Sequence, residues 1–166
     1  MKTLFEGLGA KDFVTLAGLA CGVAAVSRAF TGQAEFAVAL IGLAAVFDFL
    51  DGKVAREDSS HNALGRELDS LCDAVSFGAA PIALAFSLQN GLLIVVAAVL
   101  YGAAGVVRLA NYNVFQSGQG FYRGLPIPVA AIAVAAFAMF APSLLVPVLL
   151  IMAAAMVADV RIRKIL

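Results

Sequence analysis

The chain has 166 residues, 63% hydrophobic and 13% charged, with no formal net charge and a mean hydropathy of +0.99. A soluble domain is about half apolar and about a quarter charged, so composition excludes an ordinary soluble fold and leaves a membrane domain of several spans. The balanced charge offers no field for nucleic acid, and Cys21 and Cys72 lie in apolar segments with neither metal nor redox spacing.

In chain order, residues 1–11 are mixed and Lys-bearing, and Leu4, Phe5 and Leu8 at helical spacing predict a short N-terminal interfacial helix. The apolar segment that follows is too long for a secretory leader and has no small-residue cleavage site. The first predicted span, 12–30, carries Gly18 and Gly22 four apart, a spacing that permits close helix contact. A Thr31-Gly32-Gln33 turn leads to a second span, about 35–57, and a polar loop, Glu57 to Asn62, to a third, about 63–88. Pro81 predicts a kink in that third span. After the Gln89-Asn90-Gly91 turn, the fourth span, about 91–113, ends in Arg108-Leu-Ala-Asn111-Tyr-Asn113. A loop from Phe115 to Gly124, rich in Gly and Gln, precedes a fifth span that opens with Leu125-Pro-Ile-Pro128 and runs to Pro142. The sixth, about 143–160, ends in Arg161, Arg163 and Lys164. The expected fold is an all-α integral membrane protein of six transmembrane helices in a single domain, 1–166.

With six spans, ten of the eleven basic residues fall on one side, and only Arg28 falls on the other. The positive-inside rule makes the basic side cytoplasmic, with both termini there, in the cell membrane.

The stretch from Asp48 to Asp73 carries the chemistry. It places Asp48, Asp51, Gly52, Ala55 and Arg56 on one helical stripe and Gly65, Asp69 and Asp73 on another. Four carboxylates facing one another in a poorly hydrated place repel, and hard oxygen ligands suit Mg²⁺, Mn²⁺ or Ca²⁺ as the remedy. Gly52 and Ala55 leave room for a phosphorylated ligand to approach the backbone, and Arg56 adds a cation that can fork onto phosphate oxygens. Glu67 points about 200° away from Gly65, off the acid stripe. Arg108, with Asn111 and Asn113 close by, reads as substrate-facing rather than as a snorkelling helix-end charge.

The pattern D-x2-D-G-x2-A-R-x8-G-x3-D-x3-D resembles, residue for residue, the signature of the CDP-alcohol phosphatidyltransferases. These membrane enzymes move a phosphatidyl group from a CDP-linked lipid to an alcohol and release CMP. The resemblance implies a divalent-cation site at Asp48, Asp51, Asp69 and Asp73, with Asp73 also the catalytic base. It implies CDP-lipid contacts at Thr15, Asp48, Gly52, Ala55, Arg56, Gly65 and Asp69. Thr15 follows Asp12-Phe13-Val14, where the family often has Pro-Asn just before a Thr-Leu. The family also implies a homodimer, with Gly18/Gly22 and Gly102/Gly105 as candidate contact faces.

Two later segments resemble the phosphatidylserine synthase branch: Arg108-Leu-Ala-Asn111-Tyr-Asn113, with Asn111 where that branch has a second Arg, and Tyr122-Arg123-Gly124-Leu125-Pro126-Ile-Pro128. They imply L-serine as acceptor, met by Arg108, Asn111 and Arg123. Inositol phosphate or glycerol 3-phosphate would also need cations, so charge alone leaves these open. Two other readings of the acids are an ion pathway, which leaves the fixed Gly, Ala and Arg unexplained, and a prenyltransferase, whose Asp motifs sit far apart in sequence.

Overall fold

The computed structural model describes residues 9–57, 63–116, 121–159 and 161–163. Among them, six helical rods follow the expected segments. They are α1 (Ala10–Phe30), α2 (Ala34–Glu57), a rod made of α3 (Ala63–Asp73), a π-helical stretch (Ala74–Ala79) and α4 (Ala80–Leu88), α5 (Leu92–Asn111) continued by a π-helical turn (Tyr112–Gln116), α6 (Ile127–Phe140), and α7 (Leu145–Val157) after a 3₁₀ turn (Pro142–Leu144). Three stretches are long and apolar enough to cross a membrane: Lys11–Phe30, Leu64–Leu88 and Leu92–Phe115. Outward-facing Phe13, Phe30, Phe36, Leu71, Leu92, Leu93, Val99 and Phe140 are exposed, as lipid-facing side chains are. The protein is an all-α membrane protein.

Local chemistry sets the ends. Asp12 accepts a hydrogen bond from the Gly9 N–H at 2.8 Å, which places a buried carboxylate at the positive end of α1. At the other end of α1, Thr31 Oγ1 donates to the carbonyls of Ser27 and Arg28, and Gly32 turns the chain at φ 73°. Arg28 Nη1 donates to Gln33 Oε1 at 2.8 Å across that turn.

α1 packs chiefly on α2, and α5 on α7. Alanine, Ile41, Leu84, Ile94, Ile127, Val134 and Leu149 fill the core. Small residues bring the rods close, but within the chain: a Cβ at Gly18 would touch Phe47 Cβ at 3.4 Å, and one at Gly22 would lie 2.7 Å from Ser76 Cα. Gly102 faces Ile82, and Gly105 faces Ile127. The glycine pairs expected to face a second copy are therefore occupied by α2, the π-helical stretch, α4 and α6. A small face encodes a close approach and does not encode the partner.

Pro81 does not simply kink its rod. It lies two residues beyond the π-helical stretch, in the first turn of α4, and has no N–H to offer the Phe77 carbonyl four residues earlier. The fully buried Tyr101 of α5 donates its hydroxyl to that carbonyl at 2.8 Å instead. Ser76 Oγ donates to the Gly18 carbonyl at 3.3 Å, so the π-helical stretch is tied to α1 as well as to α5.

Two three-residue strands depart from the expected all-helical pattern. β1 (Phe121–Arg123) pairs antiparallel with β2 (Arg161–Arg163), Tyr122 opposite Ile162. Gly124, at φ 73°, then turns so tightly against the Met156 carbonyl that no side chain fits. The next N–H, of Leu125, donates to Ala155 O at 3.0 Å and satisfies a carbonyl left over at the end of α7. Tyr-x-Gly-Leu-Pro thus has a structural task, which is to dock the loop on the end of α7.

Candidate active site

The N-terminal turns of α1, the C-terminal half of α2 and the whole of α3 meet at one end of the bundle. α3 is the amphipathic helix of the three: Gly65 and Cys72 turn inward, and Leu64, Glu67 and Leu71 outward. The three- and four-residue spacing carries Asp48 and Asp51 on α2 towards Asp69 on α3. One carboxylate oxygen from each lies within 4.8 Å of the others. Asp51 is buried, and the other two are half-buried.

A cavity of about 10 Å³ lies among them, walled by all four motif aspartates, Thr15, Cys72 and Ser76. That volume holds about one water-sized sphere. Asp73 lines this cavity but stands outside the group of three whose oxygens converge. Three hard oxygen donors at such separations around a one-ion space fit a divalent cation.

Thr15 reaches the cluster from α1. Its Oγ1 donates to Asp51 Oδ2 at 2.7 Å, a buried bond between residues 36 apart in sequence, with the Lys11 carbonyl a longer second acceptor at 3.3 Å. The structure therefore places Thr15 as the group that fixes an Asp51 oxygen. Positive charge comes from two sides: Arg108 of α5 acts on Asp48 and Asp73, and Lys11 of α1 on Asp48, Asp51 and Asp69. At Gly52 a Cβ would meet nothing within 4 Å among the described residues. Gly65 is buried in the first turn of α3. The side chains of Ala55, Arg56 and Arg123 lie outside the described residues, though Arg123 sits in β1 opposite Arg161.

A second cavity, of about 210 Å³, lies between the ends of α5 and α7. Arg108 and Asn111, three residues apart on one face of α5, form one wall, and Met156 to Asp159 at the end of α7 form the other. Arg108 is 8% exposed, so its charge is largely removed from water. Asn113 serves differently: it accepts from Ser70 Oγ at 3.2 Å and makes a longer contact with Glu67 at 3.5 Å, which ties the end of α5 to α3. Cys72 and Ser76 stand at helical spacing from Asp69 and Asp73 but are not ionised at neutral pH, and the Glu67 partner and Asp159 belong to no periodic pattern, so none of them stood out in the sequence.

The profile of the CDP-alcohol phosphatidyltransferase family matches residues 10–160, nearly the whole chain. The chain belongs to that family. Among curated relatives, the CDP-diacylglycerol–serine O-phosphatidyltransferase of Bacillus subtilis is 34% identical over 122 residues, covering 72% of this chain and 69% of the relative. The Mycobacterium tuberculosis protein of the same name is 35% identical over 129 residues, covering 72% of this chain and 45% of its own length. An archaetidylserine synthase of Methanothermobacter thermautotrophicus is 32% identical over 135 residues, 79% of this chain and 58% of that protein. The chain thus spans about half the length of several of the relatives it matches.

Proposed function

We propose that the chain transfers a phosphatidyl group from CDP-diacylglycerol to the hydroxyl of L-serine, releasing CMP. The observation that carries this reading is the buried Arg108, which lines a cavity with Asn111 and whose charge acts on Asp48 and Asp73 of the acid cluster. It supplies a buried cation for an acceptor carboxylate. The names of the relatives point to the same acceptor.

Asp48, Asp51, Asp69 and Asp73 would hold one or two divalent cations, whose charge would offset that of the diphosphate and of departing CMP. Gly52, Ala55, Arg56 and Gly65 would contact the CDP-lipid, and Thr15 keeps Asp51 turned towards the cluster. Arg108, Asn111 and Arg123 orient serine by its carboxylate. The serine oxygen attacks the lipid-side phosphorus, the bond from that phosphorus to the CMP oxygen breaks, and Asp73 takes the hydroxyl proton. The cytoplasmic placement of this end follows from its basic residues, with six helices crossing the membrane.

The test offers purified protein CDP-diacylglycerol with serine, inositol, inositol phosphate or glycerol 3-phosphate in turn and follows CMP. Serine alone is expected to give rapid release and a phosphatidylserine product. Product with another alcohol and none with serine would overturn the acceptor, and pyrophosphate in place of CMP would overturn the chemistry. A CDP-archaeol arm reads the preference for the lipid tail.

A homodimer belongs to the same proposal, and it must use a surface other than the glycine faces, which are filled within the chain. Cross-linking in mild detergent is expected to trap a dimer, and a monomer at every concentration would count against it.

A further inference from the structure

We propose that a groove between α1 and α2, at the end of the bundle far from the aspartates, binds an anionic phospholipid. Its phosphate sits on Arg28 and its acyl chain runs along Phe36, Leu40 and Leu43. This site goes beyond the serine reading above and does not depend on it.

A cavity of about 590 Å³ lies there, walled by Ala24 and Arg28 of α1, Gln33 of the connecting turn, and Phe36, Leu40 and Leu43 of α2. That is the size of a small-molecule site. Its walls divide into two parts. Arg28 and Gln33 form a polar mouth at the turn. Beyond it, Phe36, Leu40 and Leu43 follow one face of α2 at four- and three-residue spacing, over about 10 Å of helix. Phe36 and Leu43 are 64% and 44% exposed, so the groove opens outward. In a bilayer an empty groove would forfeit dispersion contacts along its walls, and acyl chain is the material at hand to fill it.

The charge at the mouth selects the headgroup. Arg28 stands in the last turn of α1, about 20 Å along the helix from Thr15 and the acid cluster. It is also the one basic residue that the six-span reading leaves at this end. Its Nη1 donates to Gln33 Oε1 at 2.8 Å, a neutral acceptor that holds the guanidinium beside the groove and leaves its charge in place. Among the described residues no carboxylate lines the cavity, and Glu35 in the first turn of α2 lies outside the lining. A phosphodiester supplies the negative charge, and its oxygens suit the guanidinium fork. A zwitterionic headgroup brings the same phosphate together with an ammonium that meets no acid here.

The experiment places full-length protein in phosphatidylcholine nanodiscs with a small fraction of photoreactive lipid, either phosphatidylglycerol or phosphatidylcholine, carrying a diazirine in the acyl chain. After irradiation, mass spectrometry of the peptides reads the label between Phe36 and Leu43. Leu92, Leu93 and Val99 of α5, lipid-facing and without a basic neighbour in their turns, serve as the internal reference. Phosphatidylglycerol is expected to label the groove about fivefold more than phosphatidylcholine, the worth of one basic residue at a membrane surface. Arg28→Gln should bring the two lipids level, and Arg28→Lys should keep part of the preference, since the charge stays and the fork is lost. Label on the α5 reference should be the same in all three proteins. Equal labelling of the groove by both lipids in the wild type overturns the proposal, as does an unchanged preference in Arg28→Gln. Inorganic phosphate that erases the preference, where chloride of equal ionic strength does not, would make the mouth an anion site needing no lipid. A groove that takes no label and cross-links to a second copy would be a protein contact, and that too overturns the lipid.

Discussion

Replacing Asp48, Asp51 or Asp69 by Asn should cut CMP release by about 10³-fold or more. Each change turns one of three carboxylates, whose oxygens lie within 4.8 Å of one another around a space for a single ion, into a neutral amide. Neutralising a diphosphate by such an ion is worth several kcal/mol, and about 4 kcal/mol corresponds to about 10³ in rate. Excess chelator should have the same effect on the unaltered protein, and added Mg²⁺ or Mn²⁺ should reverse it. Mn²⁺ binding, followed by electron paramagnetic resonance, gives a readout apart from turnover and should weaken in each variant. Two of the three variants retaining a tenth of normal activity, or full turnover in chelator, would remove the metal-site reading.

The second large effect concerns assembly. Gly22→Ala should lower stability by about 1–3 kcal/mol, the usual cost of forcing a methyl into a filled contact. The new Cβ would lie 2.7 Å from Ser76 Cα and 2.8 Å from Ser76 Cβ, so backbone as well as side chain must shift. Activity should fall further than stability. α1 also carries Thr15, which fixes Asp51, and Ser76 lies one turn beyond Asp73. Gly42→Ala is the control, since a Cβ there would meet nothing within 4 Å among the described residues. Thermal unfolding in detergent compares the two, and equal melting temperatures would disprove the contact.

The acid site was legible because its spacing is itself geometric. Residues three and four apart on a helix share a face, so spacing alone pairs Asp48 with Asp51 and Asp69 with Asp73. The same rule put Arg108 and Asn111 together. Contacts between distant segments were not legible in that way. Nothing in Thr15 announces a bond to a carboxylate 36 residues away, and nothing in the glycine pairs says which neighbour fills them. The π-helical stretches escaped for a different reason. Pattern reading assumes an unbroken period, and Pro81 marks only that the period is disturbed, not how. Asp159 escaped because a single acid at a helix end usually does no more than meet water.

That disturbed period has a consequence for how the third rod can vary. An α-helical residue advances about 100° around the axis, so a slipped register of one residue turns everything beyond it by that amount. α3 and α4 are therefore one rod running in two phases, joined where Tyr101 stands in for the N–H that Pro81 lacks. The first phase aims carboxylates, and the second aims Ala83, Leu84 and Ala85 into the core. Each can accept substitutions on its own terms. Loss of a single residue between them would force a choice, because only one of the two faces could then remain turned inward.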